Sequence, residues 1–201
     1  MRFPGLVLGA CALLATYQFI TARPVEWSPG TLVATDPQQT TIEDTQPKPI
    51  ALKSFKLTPR ARFTAEVRVL SRSRYWLGTL ADVSPLDIAV GWGAMSDSAV
   101  LKKIDVSQSG RFYFWHYDDE PPIPREIIET HSANWHLVPA DNSTWSMLRS
   151  LRVGDIVTID GMLVDLERPD AGTMNTSLRR DDTGAGACEI IYVVRASIRY
   201  R

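Results

Sequence analysis

The sequence has few of the residues that exported proteins use for covalent cross-links and metal binding. Its 201 residues include two cysteines, Cys11 and Cys188, and three histidines. Because Cys11 lies inside an apolar run, Cys188 has no disulfide partner in the rest of the chain. Cys188 is therefore expected to be buried and inert, paired between chains, or functional. The sequence also lacks a recognisable catalytic motif and an internal repeat.

An excess of charge of one sign is also missing. Lys and Arg number 22 and Asp and Glu number 23, so the formal net charge is −1. Such a balance creates no global field that attracts polyanions, and no run of basic residues alternates with aromatic ones. The composition therefore predicts no nucleic-acid partner.

The N-terminus carries an uncharged, mostly apolar run from Phe3 to Ile20. A run of this length suits a helix that crosses a hydrocarbon core of roughly 30 Å. The positive charge of Arg2 and the amino terminus favours a cytoplasmic N-terminus and an exported body. Residues 1–22 are therefore predicted to form a single transmembrane anchor, with the membrane as a partner.

Two other fates of this segment stay open. Cleavage after Ala22 would place a small residue at the cut, although Ile20 fits the position two residues before it poorly. Lipidation at Cys11 would use the sequence Leu8-Gly9-Ala10-Cys11, but few apolar residues precede that box and the apolar run continues beyond it. All three fates deliver the body to an exported compartment.

Residues 23–53 are rich in Pro, Thr and Gln and are predicted to form a stalk. Five prolines in this stretch block helix formation, and few large apolar residues offset the entropy cost of ordering it. The alternative is that Val25, Trp27 and the Leu32-Val33 pair dock onto the body or the lipid interface. Residues 54–201 have the usual size of a single domain.

Alternating or continuous apolar residues predict several strands in this domain. The clearest is Phe63–Leu70, in which apolar and polar residues alternate. The aromatic run Arg111–Tyr117 and the apolar run Cys188–Val194 also favour strands. Between Asp155 and Leu166, two alternating runs meet at Asp160-Gly161, which is compatible with a tight turn or with one long bent strand.

Short helices are predicted between these strands. The segment 84–90 has Ser84 as a cap and Pro85 at the first position, and further helices are predicted at 96–103, 124–132 and 142–151. The pattern predicts an α+β, mainly β fold: a small barrel or sandwich with peripheral short helices, preceded by a single N-terminal transmembrane helix. An oligonucleotide-binding-type barrel is compatible in shape, although shape alone does not imply its usual ligands.

Four motifs together resemble those of an uncharacterised family of small bacterial proteins that each carry one N-terminal hydrophobic segment. The motifs are SPLDIAVGWGAMSDSAVL, QSGRFYFWHY, HSANWHLVPA and RRDDTGAGACEIIYV. The resemblance covers roughly Thr58 to Val193. It implies a bacterial envelope protein, and it transfers no catalytic roles. With the predicted anchor and its orientation, this predicts a single-pass protein of the bacterial inner membrane with its domain on the periplasmic side.

Cys188 is the candidate nucleophile, because it follows a glycine-containing loop. Gly184 and Gly186 would let backbone amides approach a ligand. A histidine beside the thiol would complete the parts of a cysteine nucleophile, and the candidates are His131 or His136, oriented by Asn134. The alternative is that Cys188 is a small buried residue at the start of an apolar strand.

The aromatic run is the candidate surface for a ligand or a protein partner. Alternation places Tyr113, Trp115 and Tyr117 on one face of the strand, and Tyr and Trp are favoured at interfaces. Packing of this face against a helix is the competing explanation. Ser107 and Arg111 precede the run and would form a polar loop with Arg111 as a forked donor, or an ordinary hairpin turn with an exposed Arg111.

The histidine spacing gives no support for a metal site, because His131 and His136 are five residues apart and share neither a helix face nor a strand face. No metal and no cofactor is predicted.

Two functions remain compatible with the sequence. The first is a membrane-tethered, non-enzymatic envelope domain that binds a protein partner or a small ligand. The second is a cysteine-dependent hydrolase or acyl transferase that uses Cys188.

Overall fold

The computed structural model describes residues 23–43, 47–169, 172–179, 184 and 186–200. Within these residues the chain forms ten strands and three short α-helices. The strands are β1 (Gln38–Thr41), β2 (Ile50–Leu52), β3 (Phe55–Arg74), β4 (Leu86–Gly91), β5 (Asp105–Ser109), β6 (Phe112–His116), β7 (Ser132–Pro139), β8 (Ile156–Arg168), β9 (Gly172–Met174) and β10 (Glu189–Ile198). The helices are α1 (Ser98–Leu101), α2 (Arg125–Thr130) and α3 (Asn142–Leu148), and single 3₁₀ turns cover Thr79–Asp82 and Gly93–Ser96.

Five of the strands close into a barrel. They pair in the order β3, β4, β7, β10 and β8, and β8 pairs again with β3. The strands β7 and β10 are parallel, and the other neighbours in the ring are antiparallel. This order is that of the Greek-key barrel of the oligonucleotide-binding type. The prediction of a mainly β fold with short helices is confirmed, and the strands form a barrel.

The long strand β3 supplies one wall of the barrel core. Alternation buries Phe63, Ala65, Val67 and Val69 on its inner face, as the sequence predicts. The Phe63 ring meets the Trp135 ring of β7 edge-on, with 5.3 Å between centroids. Register shifts along β3, opposite β8 and opposite β4, let one strand bend and pair with both neighbours.

The segment around Asp160-Gly161 is one bent strand, not a turn. It runs unbroken through β8, and Gly161 pairs with Phe63 on one side and Val193 on the other. A side chain at Gly161 would collide with the backbone oxygen of Tyr192. Glycine is therefore required here because two strands of the barrel approach each other closely.

The predicted helix over 84–90 is wrong, because Leu86–Gly91 forms strand β4. All six residues of this strand are buried. Leu86, Ile88 and Val90 point into the barrel, whereas Ala89 packs on the outside beneath other elements. A strand covered on both faces reads as a continuous apolar run, which periodicity alone does not distinguish from a buried helix.

A hairpin made of β5 and β6 covers the outer face of the barrel at β3, β4 and β7. Its inward residues Val106, Tyr113 and Trp115 pack on a cluster that includes Leu70 and Ala89. The aromatic strand therefore packs against the barrel sheet, and the same cluster includes Ile128 of helix α2. This hairpin, Asp105–His116, is inserted between the second and third strands of the barrel.

Residues 23–43 belong to the folded unit, so the predicted stalk does not stand apart from the domain. The Val25 amide donates to the Val153 carbonyl at 2.7 Å, and the Trp27 indole donates to the Gly154 carbonyl at 2.8 Å. Val33 is 1% exposed and lies in the barrel core, and β1 pairs with β3. The alternative prediction, that this segment docks onto the body of the protein, is therefore confirmed.

No helix among the described residues is long and apolar enough to cross a membrane. The run Phe3–Ile20, on which the anchor prediction rests, lies outside the described residues, as does Cys11.

Replacing Gly154 by alanine is expected to detach the segment that begins at Val25. Gly154 has φ +88°, and an added Cβ would collide with the Val25 carbonyl oxygen. Gly172, with φ +77° and no atom near such a Cβ, is the matched control for the backbone strain alone. We expect Gly154→Ala to cost about 2 kcal/mol more than Gly172→Ala. Hydrogen exchange of the Val25 amide should accelerate in the first variant only, and equal exchange in both would contradict the docking.

Candidate functional site

A cavity of about 300 Å³ lies between the β5–β6 hairpin and strand β7, and we call it the hairpin cavity. Aromatic side chains of β6, including Tyr113 and Trp115, form one wall. Asn134, Cys188 and Glu189 contribute to the opposite wall, on β7 and at the start of β10. The cavity therefore combines apolar rings with a small group of polar atoms.

Alternation along β7 decides which of its side chains face this region. Trp135 and Leu137 point into the barrel, so Asn134 and His136 point outward, beneath the hairpin. His136 is only 1% exposed and does not line the hairpin cavity, whereas Asn134 does. The imidazole thus lies behind the cavity wall.

Cys188 is half-buried at the cavity wall, close to both predicted neighbours on β7. The Asn134 Nδ2 lies 3.6 Å from the Cys188 Sγ. The thiol also lies near enough to the His136 imidazole to help raise the pKa of that group. The structure therefore brings together Cys188, His136 and Asn134, as one version of the prediction requires.

His131 is not part of this group. Its ring lies 6.2 Å from the Trp92 ring and packs against Gly93, and its Nδ1 is 3.0 Å from the Thr130 hydroxyl. Of the two histidines proposed as partners of Cys188, the structure supports only His136.

Asp87, which sequence analysis missed, holds His136 from the other side. Register pairs Asp87 of β4 with His136 of β7, and Asp87 Oδ1 lies 2.9 Å from His136 Nδ1. The two atoms are close but poorly aligned for a hydrogen bond, so the contact is an ion pair. The sequence does contain a signal for this role: Asp87 is the only carboxylate in the apolar run Leu86–Gly91, and a buried acid needs a partner.

The surroundings of His136 keep its imidazole charged. Burial disfavours the charged form, but the contacts with Asp87 and Cys188 outweigh burial and raise the pKa of His136 to about 9. His136 is therefore protonated at neutral pH.

The polar loop is a hairpin turn, as one of its two interpretations predicts, but Arg111 is paired with Asp87 instead of being exposed. Gly110 and Arg111 have φ of +59° and +74°, the values of a two-residue type I′ turn. Arg111 Nη1 lies 2.8 Å from Asp87 Oδ1, and the guanidinium stacks 3.6 Å from the Tyr75 ring centroid. Arg111 is thus neither exposed nor directed at a ligand. Ser107 is exposed on the hairpin and is not part of the cavity wall.

Asn134 ties the hairpin turn to the barrel and does not orient the imidazole. Its Nδ2 donates to the Arg111 carbonyl at 2.9 Å, and its Oδ1 accepts from Gln108 Nε2 at 2.7 Å. The orienting role proposed for Asn134 therefore falls to Asp87, because that side chain contacts His136 Nδ1.

The predicted aromatic face lies inward. Tyr113 and Trp115 line the hairpin cavity, and Tyr117 stacks on Trp115 with 5.9 Å between ring centroids. Burial is the main cause that raises the pKa of Tyr113, whose hydroxyl lies 3.3 Å from Ser132 Oγ. The opposite face of the strand carries Phe112 and Phe114, which are 44% and 54% exposed.

Gly184 and Gly186 both have positive φ, at +87° and +92°, as a tight turn before Cys188 requires. Gly184 lines the hairpin cavity and Gly186 does not. Among the residues that the structure describes, no three His, Cys, Asp or Glu side chains are grouped so that they could hold a metal ion.

Comparison of the chain with protein-family models, curated proteins and solved structures finds no match. The function must therefore be argued from the geometry of the domain itself.

Proposed function

We propose that this chain is a membrane-tethered envelope protein whose barrel domain binds a small ligand in the hairpin cavity without catalysing its conversion. The observation that carries the proposal is the cavity itself, with aromatic rings facing Asn134, Cys188 and Glu189. Ligand sites in proteins are mostly apolar hollows of roughly 300–1,000 Å³ with a few placed polar groups. The hairpin cavity falls at the lower end of that range, which suits a small molecule.

The tether in this proposal rests on the apolar run Phe3–Ile20 of the sequence. The docking of residues 23–43 on the barrel leaves little chain between that run and the domain. A domain held so close to its anchor suits a role at the inner-membrane surface, on the periplasmic side, alone or beside an envelope protein partner.

Nucleic acid is not part of the proposal. Barrels of this type bind oligonucleotides on the outer face of their second and third strands. Here those strands are β4 and β7, and the β5–β6 hairpin covers that face. The overall charge of −1 adds no attraction for a polyanion.

The second candidate is a cysteine-dependent hydrolase or acyl transferase, favoured by the contact between Cys188 and the charged His136. In such an enzyme the thiolate attacks an acyl carbon, and the histidine must protonate the leaving group. His136 is 1% exposed and lies behind the cavity wall, so it cannot reach a leaving group in the cavity. This geometry favours binding over turnover.

Reaction of Cys188 with p-nitrophenyl acetate, in a Cys11→Ser background, separates the two candidates. We expect release of at most one equivalent of nitrophenolate from Cys188 and no turnover above that of a Cys188→Ser variant. Turnover that requires both Cys188 and His136 would contradict the binding proposal and favour the enzyme. A thiol that stays silent until denaturation would contradict both, because Cys188 would not face an accessible cavity.

Ligand binding itself is tested by fragment screening with ligand-observed NMR. We expect aromatic fragments to bind, and their signals to be lost in an Ala187→Trp variant, since Ala187 lines the cavity next to Cys188. A Ser107→Trp variant on the exposed face of the hairpin is the matched control and should keep every fragment. Fragments that bind both variants equally would show that the hairpin cavity is not the site.

A further inference from the structure

A second hollow, which we call the Arg68 cleft, lies where residues 24–27 cross the barrel. Its volume is about 450 Å³, and it shares no lining residue with the hairpin cavity. Much of its wall is apolar and comes from the N-terminal segment, β3, α1 and the hairpin: Trp27, Leu70, Leu101, Ile104 and Val106. Such a wall suits the hydrocarbon part of a small molecule.

Arg68 is the charged group of this cleft, and it is 7% exposed. Its Nη1 donates to the Ser96 carbonyl and to the Ser98 hydroxyl, each at 2.9 Å. Its Nε is buried and has no acceptor among the described residues. Burying an N–H of a charged group without an acceptor is costly, so the site is incomplete without one.

The neighbouring carboxylate does not supply that acceptor. Asp97 caps α1 and accepts hydrogen bonds from the amides of Ala99, at 2.7 Å, and Gly30, at 3.0 Å. Burial lowers the pKa of Arg68, and the charge of Asp97 opposes that shift from a distance. Arg68 therefore remains a buried cation without a carboxylate in ion-pair contact among the described residues.

The geometry of the Arg68 guanidinium determines which chemical group can supply the missing hydrogen-bond acceptor. With Nη1 occupied on one side, Nε and Nη2 form the opposite edge, which binds two oxygens of a carboxylate or a phosphate side-on. Exposed Lys102 and Glu26 lie at the rim, so the cleft has a charge of either sign at its mouth and a cation at its base.

We propose that the Arg68 cleft binds a small organic anion with an apolar body, its oxygens paired with Arg68 and its hydrocarbon on the apolar wall. Glu26, the one carboxylate of the segment that crosses the cleft at residues 24–27, is exposed at the rim and has no ion-pair contact with Arg68 among the described residues. The inference is independent of the hairpin cavity and stands or falls separately from the proposed function.

Equilibrium dialysis of labelled hexanoate with the full chain in lipid nanodiscs tests the proposal, with empty nanodiscs as the blank. We expect saturable binding of hexanoate, at least tenfold weaker binding of 1-hexanol, and at least tenfold loss with Arg68→Lys, which keeps the charge but loses the fork. Arg62→Lys, at an exposed position of the same strand, is the matched control and should change nothing. Hexyl phosphate is the second arm, and tighter binding of either anion identifies the preferred headgroup.

Equal binding of hexanoate and hexanol, unchanged binding in Arg68→Lys, or no binding of either anion would overturn the proposal. Should Arg68→Lys fail to fold, the NMR resonance of the Arg68 Nε–H in the unaltered chain tests the proposal instead. That resonance is expected to move downfield as hexanoate is added, and a resonance that does not move would also overturn it.

Discussion

Replacing Asp87 by asparagine is expected to lower the free energy of unfolding by about 3–5 kcal/mol, the cost of removing one partner from a buried ion pair. Asp87 is fully buried and contacts two cations, Arg111 at 2.8 Å and His136 at 2.9 Å. An asparagine of the same shape leaves both charges without a counter-charge. Chemical denaturation at pH 7, compared with the unaltered chain, measures the loss.

The control for this variant is an ion pair of similar length at the surface. Lys56 and Glu167 lie 3.0 Å apart with about half of each side chain exposed. Glu167→Gln is expected to cost less than about 1 kcal/mol, because solvent screens exposed pairs. If Asp87→Asn costs no more than Glu167→Gln, Asp87 does not hold the hairpin to the barrel in the way the geometry indicates.

The stability of the domain is expected to fall as the pH rises from about 6.5 to 9. The pKa of His136 is raised in the folded state from 6.5 to about 9 by Asp87 and Cys188, against the opposing effect of burial. A raised pKa contributes stability that is complete below the unfolded value and is lost as the pH passes through the folded value. The shift corresponds to about 3 kcal/mol.

Denaturation curves recorded across that pH range test this prediction. The decline should be much weaker in a His136→Gln variant. It should persist in His116→Gln, because His116 is exposed and its closest acid, Asp118, lies 3.8 Å away at the surface. A decline that is the same in all three proteins would assign the effect to groups other than His136.

The sequence predicted those elements whose pattern of apolar and polar residues fits only one kind of secondary structure. Alternation in Phe63–Leu70 and the helices predicted at 124–132 and 142–151 correspond to strand β3 and to helices α2 and α3. The apolar run Leu86–Gly91 has no period of its own, because it is covered on both faces, and its local cap signals favoured a helix. Tertiary burial decided its conformation, and no local pattern carries that information.

The candidate site was predictable in part, for a similar reason. Cys188, His136 and Asn134 are chemically suggestive residues, and once β7 is a strand its alternation places the last two on one face. Asp87 reaches His136 only through strand register, and Arg111 reaches Asp87 only through a hairpin turn. Those are long-range properties, so single-residue chemistry could not reveal them.

The docking of residues 23–43 was hidden by composition. Prolines and polar residues make this stretch resemble a linker, yet the pairing of β1 with β3 and the buried Val33 hold it to the barrel. Hydrogen bonds from the Val25 amide to Val153 and from the Trp27 indole to Gly154 add to this. Sequence hydrophobicity therefore underestimates how much of the chain is folded.

The order of strands in the barrel also determines when the protein can fold. The pair Lys56 and Glu167 joins β3 to β8 across 111 residues, and β10, near the end of the chain, lies between β7 and β8. Contacts between distant residues form slowly because the long intervening chain must first be closed. A chain still being synthesised has no β10 to insert, so its ring stays open with β7 and β8 unjoined. Folding of this domain is thus completed only after the last residues of β10 have been made.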